Sequence, residues 1–470
     1  MLTLADIIEC FTGNRPVRIT QQIRHVVIDS REAGPGDLFV ALKGEQTDGH
    51  LFVKDALARG AVAALVEQDT PMECDSIDLR PGARPITEVS LPVCLHVNNV
   101  LTALQDLSGY WRGKFRARVI GITGSVGKSS TKELTWTVLS RRSRSGTLRS
   151  EGNLNNEIGG PLTLLQLESR HEYLVLEMGM YARGEIARLC ELAQPVVGVV
   201  TNVGPVHLER LGSLEAIAAA KAELVESLPP NGTAILNYDE ALVRDMASKT
   251  KARVFFYGLD KRANLWADEI ESEGIEGVHL TMHYKKESLH VHVPLLGRHS
   301  VHTALRAAAV GLAEGMSWDD ILRGLQDQQA QIRLVAVPGP QGSTILDDTY
   351  NASPASTIAA LNLLAELDGR KIAVLGDMLE LGSYEEEGHK LVGRRAMDVV
   401  DILITVGKLG RTIGEEALSQ GMPGDRVCIC EDNASAIECL QGQIEPGDYI
   451  LVKGSRGMQM EEIVAALGKG

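Results

Sequence analysis

The run Gly121-Ile-Thr-Gly-Ser-Val-Gly-Lys-Ser-Ser130 has the residue types of a phosphate cradle. Gly124 and Gly127 let the backbone N–H groups around Ser125 and Val126 converge on phosphate oxygens. A helix starting just after them adds the partial positive charge of its N-terminus. Lys128 can reach terminal phosphates, and the Ser129 hydroxyl, with Ser130 beside it, can ligate Mg²⁺. A strict G-x-x-x-x-G-K spacing would need glycine at 122, where the chain has Ile122, so the loop is a variant mononucleotide type. A glycine-rich turn with a chance lysine is the plain alternative, and the Gly-Lys-Ser context between a strand and a helix speaks against it.

Phosphoryl transfer also needs acids and metal ligands. Glu177 ends the apolar run Tyr173-Leu-Val-Leu-Glu177, where a buried carboxylate is costly unless paired or metal-bound. His207 follows Thr201-Asn-Val-Gly-Pro-Val, and Lys221 interrupts an apolar helical stretch, Ile217-Ala-Ala-Ala-Lys221. Taken singly, these read as a cap, a core histidine and a snorkelling lysine. Together behind one phosphate loop they point to a site.

The elements that must position these groups alternate along the chain. At 470 residues the chain is too long for one core and implies roughly three units. We place them at 1–113, 114–334 and 335–470. The first is mixed α/β, with strand-like runs at Val26–Asp29, Asp37–Ala41, Ala61–Val66 and Cys94–Val97; the Pro- and acid-rich stretch 67–91 reads as a surface loop. The second opens on a strand at Arg118–Thr123 and repeats strand–helix through Tyr173–Glu177 and Val196–Val203. That alternation predicts a parallel sheet with covering helices. Period-two runs at Gly277–His283 and Ser288–Val293 predict an antiparallel insert. The third unit alternates cleanly, with strands at Ser343–Asp347, Lys371–Leu375, Ile402–Val406, Val427–Cys430 and Tyr449–Val452. It predicts a doubly wound, Rossmann-like sheet with ligands at the strands' carboxyl ends.

Composition narrows the chemistry. With 44% hydrophobic and 23% charged residues the chain has the balance of a soluble globular protein. Only 4% is aromatic and the net charge is −15, which argues against a nucleic-acid surface. The seven cysteines lack C-x-x-C spacing and read as reduced thiols. No apolar run spans a membrane and the first residues do not form a signal peptide, so the expectation is a cytoplasmic protein without membrane insertion.

The set Thr-Gly-Ser-x-Gly-Lys-Ser, Leu-Glu-Met-Gly, Thr-Asn-Val-Gly-x-x-His and Ala-Lys-Ala-Glu resembles the Mur ligase family of peptidoglycan synthesis. The resemblance implies ATP bound by Gly124, Ser125, Val126, Gly127, Lys128, Ser129 and Ser130. It also implies Mg²⁺ held by Ser129, Glu177 and His207, with Lys221 carbamylated by CO₂ into an anionic oxygen ligand. Leu346-Asp-Asp-Thr-Tyr-Asn351-Ala-Ser-Pro354, Leu375-Gly-Asp-Met-Leu-Glu-Leu-Gly382, Val452-Lys-Gly-Ser-Arg456 and Gly152-Asn-Leu-Asn-Asn-Glu-Ile-Gly159 resemble the member that adds D-Ala-D-Ala. Asp29-Ser-Arg31 and Thr47-Asp-Gly-His50 are similar to its UDP-sugar-binding domain. The Asp-Asn-Pro-Arg expected of the member adding the third amino acid is absent. The implied substrates are UDP-MurNAc-tripeptide and D-Ala-D-Ala, the implied chemistry an acyl phosphate, and the expected state a monomer. Another Mur-type or folylpolyglutamate-type ligase is the alternative within the class, and a phosphate-loop regulatory module the alternative outside it.

Candidate contacts follow residue by residue. Ser30, Arg31, Asp48, Asn155, Asn156, Tyr350 and Asn351 are substrate candidates by resemblance. Asp347 or Asp348 could hold ribose hydroxyls, and the resemblance favours Asp348. Arg333 could meet the γ-phosphate or serve as a hinge ion pair. Asp377 and Glu380 could bind the dipeptide's ammonium, and Ser455 and Arg456 its carboxylate, with capping and surface pairing as the alternative. Where the family has two Asn after Gly-x-His, one able to contact adenine, this chain has Ser300 and Thr303.

Overall fold

The computed structural model describes every residue except 45–46, 69–73, 84–85, 87, 207, 328–333 and 469–470. Contacts divide the chain into two units. One comprises Met1–Gly121, Ser145–Met180 and Gly184–Val196; the other comprises Ile122–Arg144, Tyr181–Arg183 and Val197–Gly470.

The first unit begins with β1 (Val26–Val27), β2 (Leu38–Val40), β3 (Ala63–Val66), β4 (Asp75–Asp78) and β5 (Val93–His96), in sheet order β1-β2-β3-β5-β4. All four pairings are parallel. The loop expected over 67–91 therefore contains a strand. β4 is an edge strand whose single buried residue is Ile77, and its aspartates and serine face outward; so polar an edge hides its strand character. β6 (Arg118–Thr123), β7 (Thr147–Arg149) and β8 (Tyr173–Glu177) follow, in order β6-β8-β7. All five residues of β8 are buried, which delivers Glu177 to a strand end.

The helix Leu4–Thr12 starts at a capping box, Thr3 accepting from the Asp6 N–H while the Asp6 carboxylate accepts from the Thr3 N–H. Asp6 is 4% exposed and takes Arg15 Nη1 at 2.6 Å and Lys114 Nζ at 2.5 Å. Burial alone would raise its pKa, but the bonds from Arg15, Lys114 and Thr3 hold the carboxyl far below the usual carboxylate range. Asp6→Asn removes the buried one of the two carboxylates, Asp6 and Glu9, that Arg15 and Lys114 share, and is expected to destabilise by about 1–3 kcal/mol. Because the folded-state pKa is depressed, this stabilisation is complete above pH ~4 and disappears as pH falls through the folded value. Urea unfolding of both proteins across that range checks this: the difference must shrink in acid.

The second unit holds β9 (Val197–Val200), β10 (Thr233–Asn237), β11 (Arg253–Gly258) and β12 (Leu265–Ser272), all parallel. β13 (Val278–Tyr284) and β14 (Glu287–Val293) then pair antiparallel, as the period-two runs predict; β12 joins them as a third strand of that ladder. The last sheet comprises β15 (Val335–Pro338), β16 (Thr344–Asp348), β17 (Lys371–Gly376), β18 (Ile402–Val406), β19 (Val427–Cys430) and β20 (Tyr449–Lys453). Its order is β15-β16-β20-β17-β18-β19, with only the edge strand β15 antiparallel. Leu346, Leu375 and Leu451 pack into one core, and their neighbours Ile345, Val374 and Ile450 into another. Both faces of the inner strands β17, β18 and β20 are covered, which is why they read as unbroken apolar runs. Their carboxyl ends carry Asp348, Asp377 and Lys453.

Candidate active site

β6 runs into the phosphate loop and the helix Lys128–Arg142 runs out of it. Gly124 adopts φ 149°, and a Cβ there would stand 1.8 Å from Thr201 Oγ1; Gly127 adopts φ 80°. The loop is clamped from the segment after β9. Asn202 Oδ1 accepts from the Val126 N–H at 2.8 Å, while Thr201 Oγ1 and Asn202 Nδ2 donate to the Val126 carbonyl at 2.7 and 3.1 Å. Ser125 Oγ donates to the Gly204 carbonyl at 3.0 Å. Lys128 Nζ folds over the loop onto the Gly124 and Ser125 carbonyls, at 2.8 and 3.3 Å. No side chain caps the helix, whose N-cap is Gly127, and the partial positive charge of a helix start favours an anion there.

The loop forms one wall of a cavity of about 460 Å³ that also involves Asn237, Thr303, Arg306, Asp348 and Lys453, a volume suited to a nucleotide-sized ligand. Of the two candidate acids, Asp347 turns its Oδ1 onto the Thr349 N–H and hydroxyl. Asp348 lines the cavity and takes Lys453 Nζ at 2.6 Å; Lys453, 2% exposed, also donates to the Asn351 carbonyl at 2.8 Å. Thr303 Oγ1 accepts from Arg306 Nη2 at 2.8 Å. Arg306 is 4% exposed, lies over the Tyr257 ring, and among the described residues its Nε has no partner.

Lys221, on the helix Leu214–Glu226, is 2% exposed. Burial, reinforced by the charge of Lys128, holds its pKa well below the ordinary lysine value. Among the described residues no hydrogen bond or ion pair meets its amine, and a neutral amine is the form such an environment favours.

The other candidates fall as follows. In the first unit, Glu177 is 1% exposed and Asn155 Nδ2 donates to its Oε1 at 2.8 Å. Asn156 Oδ1 accepts from the Ile158 and Gly159 N–H groups. Ser30 is buried, Arg31 forks onto Asp29, and Asp48 Oδ1 lies 2.6 Å from His50 Nδ1. In the second unit, Asp377 Oδ1 accepts from the Leu409 and Gly410 N–H groups at 3.0 and 2.7 Å. Ser455 Oγ accepts from the Leu379 N–H. Arg456 lies over the Tyr350 ring, 5.2 Å from its centroid, and Glu380 is exposed with φ 63°. His207 and Arg333 lie outside the described residues. Sequence reasoning passed over Thr201, Asn202, Arg306 and Lys453 as contributors to the loop and cavity. Arg306 and Lys453 were signalled by cations inside apolar runs, Ala304-Leu-Arg306-Ala and Ile450-Leu-Val-Lys453.

Residues 22–110 match the Mur ligase family catalytic domain, 122–311 the Mur ligase middle domain, and 332–456 the Mur ligase glutamate ligase domain. The chain belongs to the Mur ligase family. Its three Mur ligase domains explain why parallel sheets recur along it. A curated Bacillus subtilis relative, UDP-N-acetylmuramoyl-tripeptide–D-alanyl-D-alanine ligase, is 37% identical over 95% of this chain and 93% of its own. The Escherichia coli protein of that name is 37% identical over 94% and 93%. Among solved structures, MurF from Acinetobacter baumannii superposes with a TM-score of 0.84 at 31% identity, covering 99% of this chain and 98% of that one. MurF from Thermotoga maritima in complex with ADP gives 0.77 at 28% identity, covering 95% and 97%. The Mur ligase phosphate loop of this chain thus keeps Ile122 where the strict motif has glycine.

Proposed function

We propose that this Mur ligase joins D-Ala-D-Ala to UDP-MurNAc-tripeptide at the expense of ATP, yielding UDP-MurNAc-pentapeptide, ADP and phosphate. The observation that carries it is the clamped phosphate loop, walling a nucleotide-sized cavity that the Asp348–Lys453 pair also lines. Near-full-length likeness to ligases of that name supports the choice of substrates. The tripeptide carboxylate attacks the γ-phosphorus and ADP departs; the dipeptide amine then attacks the acyl carbon, and phosphate leaves as the amide forms. Activation is needed because a carboxylate resists nucleophiles and its mixed anhydride does not. Lys128 stabilises the charge that develops on the transferred group, and the first-turn N–H groups of its helix hold the phosphates. Asp348 is proposed to accept the ribose hydroxyls while Lys453 fixes its carboxylate.

Ser129, Glu177, His207 and a carbamate on Lys221 are proposed as Mg²⁺ ligands on donor chemistry, since hydroxyl, carboxylate and carbamate supply the hard oxygens that this ion takes. Bound Mg²⁺ would neutralise phosphate charge. The Lys221 amine is buried, meets no hydrogen bond or ion pair among the described residues and has a lowered pKa, which suits reaction with CO₂. Arg333 is proposed at the γ-phosphate; Asp377, Glu380, Ser455 and Arg456 around the dipeptide; and Ser30, Arg31, Asp48, Asn155, Asn156, Tyr350 and Asn351 along the nucleotide-linked substrate. We further place the domain limits at 1–113, 114–334 and 335–470, and the protein in the cytoplasm as a monomer. Phosphate release with all three substrates, and none when any one is omitted, is the expected assay result; release with a folate and glutamate instead would overturn the reading.

Arg306→Ala is expected to raise the nucleotide Kd about tenfold, roughly 1.4 kcal/mol, because a buried guanidinium beside the loop is a strong anion donor. Calorimetric titration of a non-hydrolysable ATP analogue checks this.

A further inference from the structure

The antiparallel ladder of the second unit carries His279, His283, His290 and His292 among the chain's 12 histidines, and none of the four lines the nucleotide cavity. Register sets His279 directly opposite His292 on β13 and β14, a relation that brings Cβ atoms to about 4.5–5.5 Å. Their rings stack with centroids 4.5 Å apart and planes 30° apart. Glu273, just beyond the end of β12, brings Oε2 to 3.2 Å from His279 Nε2. Among the described residues these three form the one group of His, Cys, Asp and Glu side chains whose ligand atoms all lie within 4.8 Å of one another.

The surrounding backbone is built tightly. The Glu273 N–H donates to the Gly277 carbonyl at 2.9 Å, closing the turn between β12 and β13. Gly277 adopts φ 120°, and a Cβ there would stand 2.4 Å from the Val293 carbonyl oxygen and 3.1 Å from His292 Nε2. His292 Nε2 donates to the Glu276 carbonyl at 2.9 Å, which leaves Nδ1 as the lone-pair nitrogen. A ring N–H held by a carbonyl is the usual outer-sphere arrangement of a ligating histidine.

We propose that Glu273, His279 and His292 bind a borderline divalent transition-metal ion, with Zn²⁺ as the probe and water completing a tetrahedron. Two imidazoles and a carboxylate are a zinc donor set. Mg²⁺, which demands six oxygens in an octahedron, competes poorly for it. Tetrahedral zinc needs its ligand atoms roughly 3.3 Å apart. The side chains of Glu273 and His279, 55% and 47% exposed, are free to close that distance. The ion would fasten the β12–β13 turn to β14 and stabilise the ladder by binding only its folded form. Without metal affinity, the same contacts are an ordinary histidine–carboxylate face.

The test is zinc affinity of the full-length protein, measured by competition with a chromogenic chelator in excess Mg²⁺. Cys428 and Cys430, with Sγ atoms 3.6 Å apart, are the rival soft donors, so Cys428→Ser is the control. The expected result is one zinc per chain, weakened at least ~100-fold by His279→Gln with His292→Gln and unchanged by Cys428→Ser. The cobalt-substituted protein should show no thiolate charge-transfer band. Unchanged zinc affinity in the double histidine variant, or its loss in Cys428→Ser, would overturn the proposal. Should the double variant fail to fold, Glu273→Gln alters an exposed side chain outside the strands and decides the matter, with a weakening of ~10–100-fold expected.

Discussion

Lys128→Ala is expected to lower kcat for phosphate release by about 10²–10³, with a smaller change in nucleotide affinity. The loop's shape does not depend on this side chain alone. Thr201 and Asn202 clamp Val126 independently, and Gly124 and Gly127 set the backbone. What alanine removes is a charge resting on the Gly124 and Ser125 carbonyls, one that can meet negative charge as it develops on the bridging oxygen that departs with ADP. An interaction that strengthens in the transition state appears in kcat, whereas uniform binding appears in KM. Lys128→Arg should not restore the rate, because a guanidinium fork is larger and its donors are fixed in one plane. Removing Lys128 also removes one of the two causes that depress the Lys221 pKa, but the larger cause, burial, remains, so the pKa stays lowered in this variant. Initial rates and nucleotide titration on the same preparation check the split; a Kd raised as much as kcat is lowered would mean that Lys128 only binds.

Legibility in the sequence depended on how local the determinant is. β6, β8, β18 and β19 have the limits that apolar runs and flanking turn residues predict; in β6, β8 and β18 burial on both faces leaves unbroken hydrophobic stretches. β4 was lost because three of its four residues face outward, and the role of β12 in the antiparallel ladder because it also pairs parallel with β11. The phosphate loop was readable since its glycines answer a backbone requirement written within seven residues. Arg306 and Lys453 were not, because their meaning comes from partners far along the chain. Lys453 meets Asp348 across 105 positions, and Arg306 matters through Gly127, whose added Cβ would lie 3.2 Å from its Nη2. The Asp347–Asp348 ambiguity likewise needed geometry: only the structure shows Asp347 spent on Thr349.

Lys221→Ala is expected to lose about 10²–10³ in rate and to recover part of it with added formate or acetate. An amine that is 2% exposed cannot keep a proton cheaply, and among the described residues no carboxylate offsets the charge. Neutrality is what reaction with CO₂ requires: the nitrogen lone pair forms the N–C bond, the nitrogen loses a proton, and an anionic carbamate results. That anion returns charge to a buried position, so it needs a cation beside it, and the Lys128 ammonium that disfavours Lys221 as a cation favours it as a carbamate. A short carboxylate admitted to the space left by alanine supplies oxygen ligands of the same charge. The competing account is that Lys221 is neutral simply because it is packed. Lys221→Met separates the two: it preserves the apolar stem and removes the nitrogen. If packing is the role, the methionine variant keeps full activity and gains stability, since replacing a buried ionisable group with a hydrophobe of similar volume is often stabilising. If the carbamate is the role, it folds as well as the parent, is as slow as the alanine variant, and gains little from formate because the methionine fills the space the rescuer would occupy.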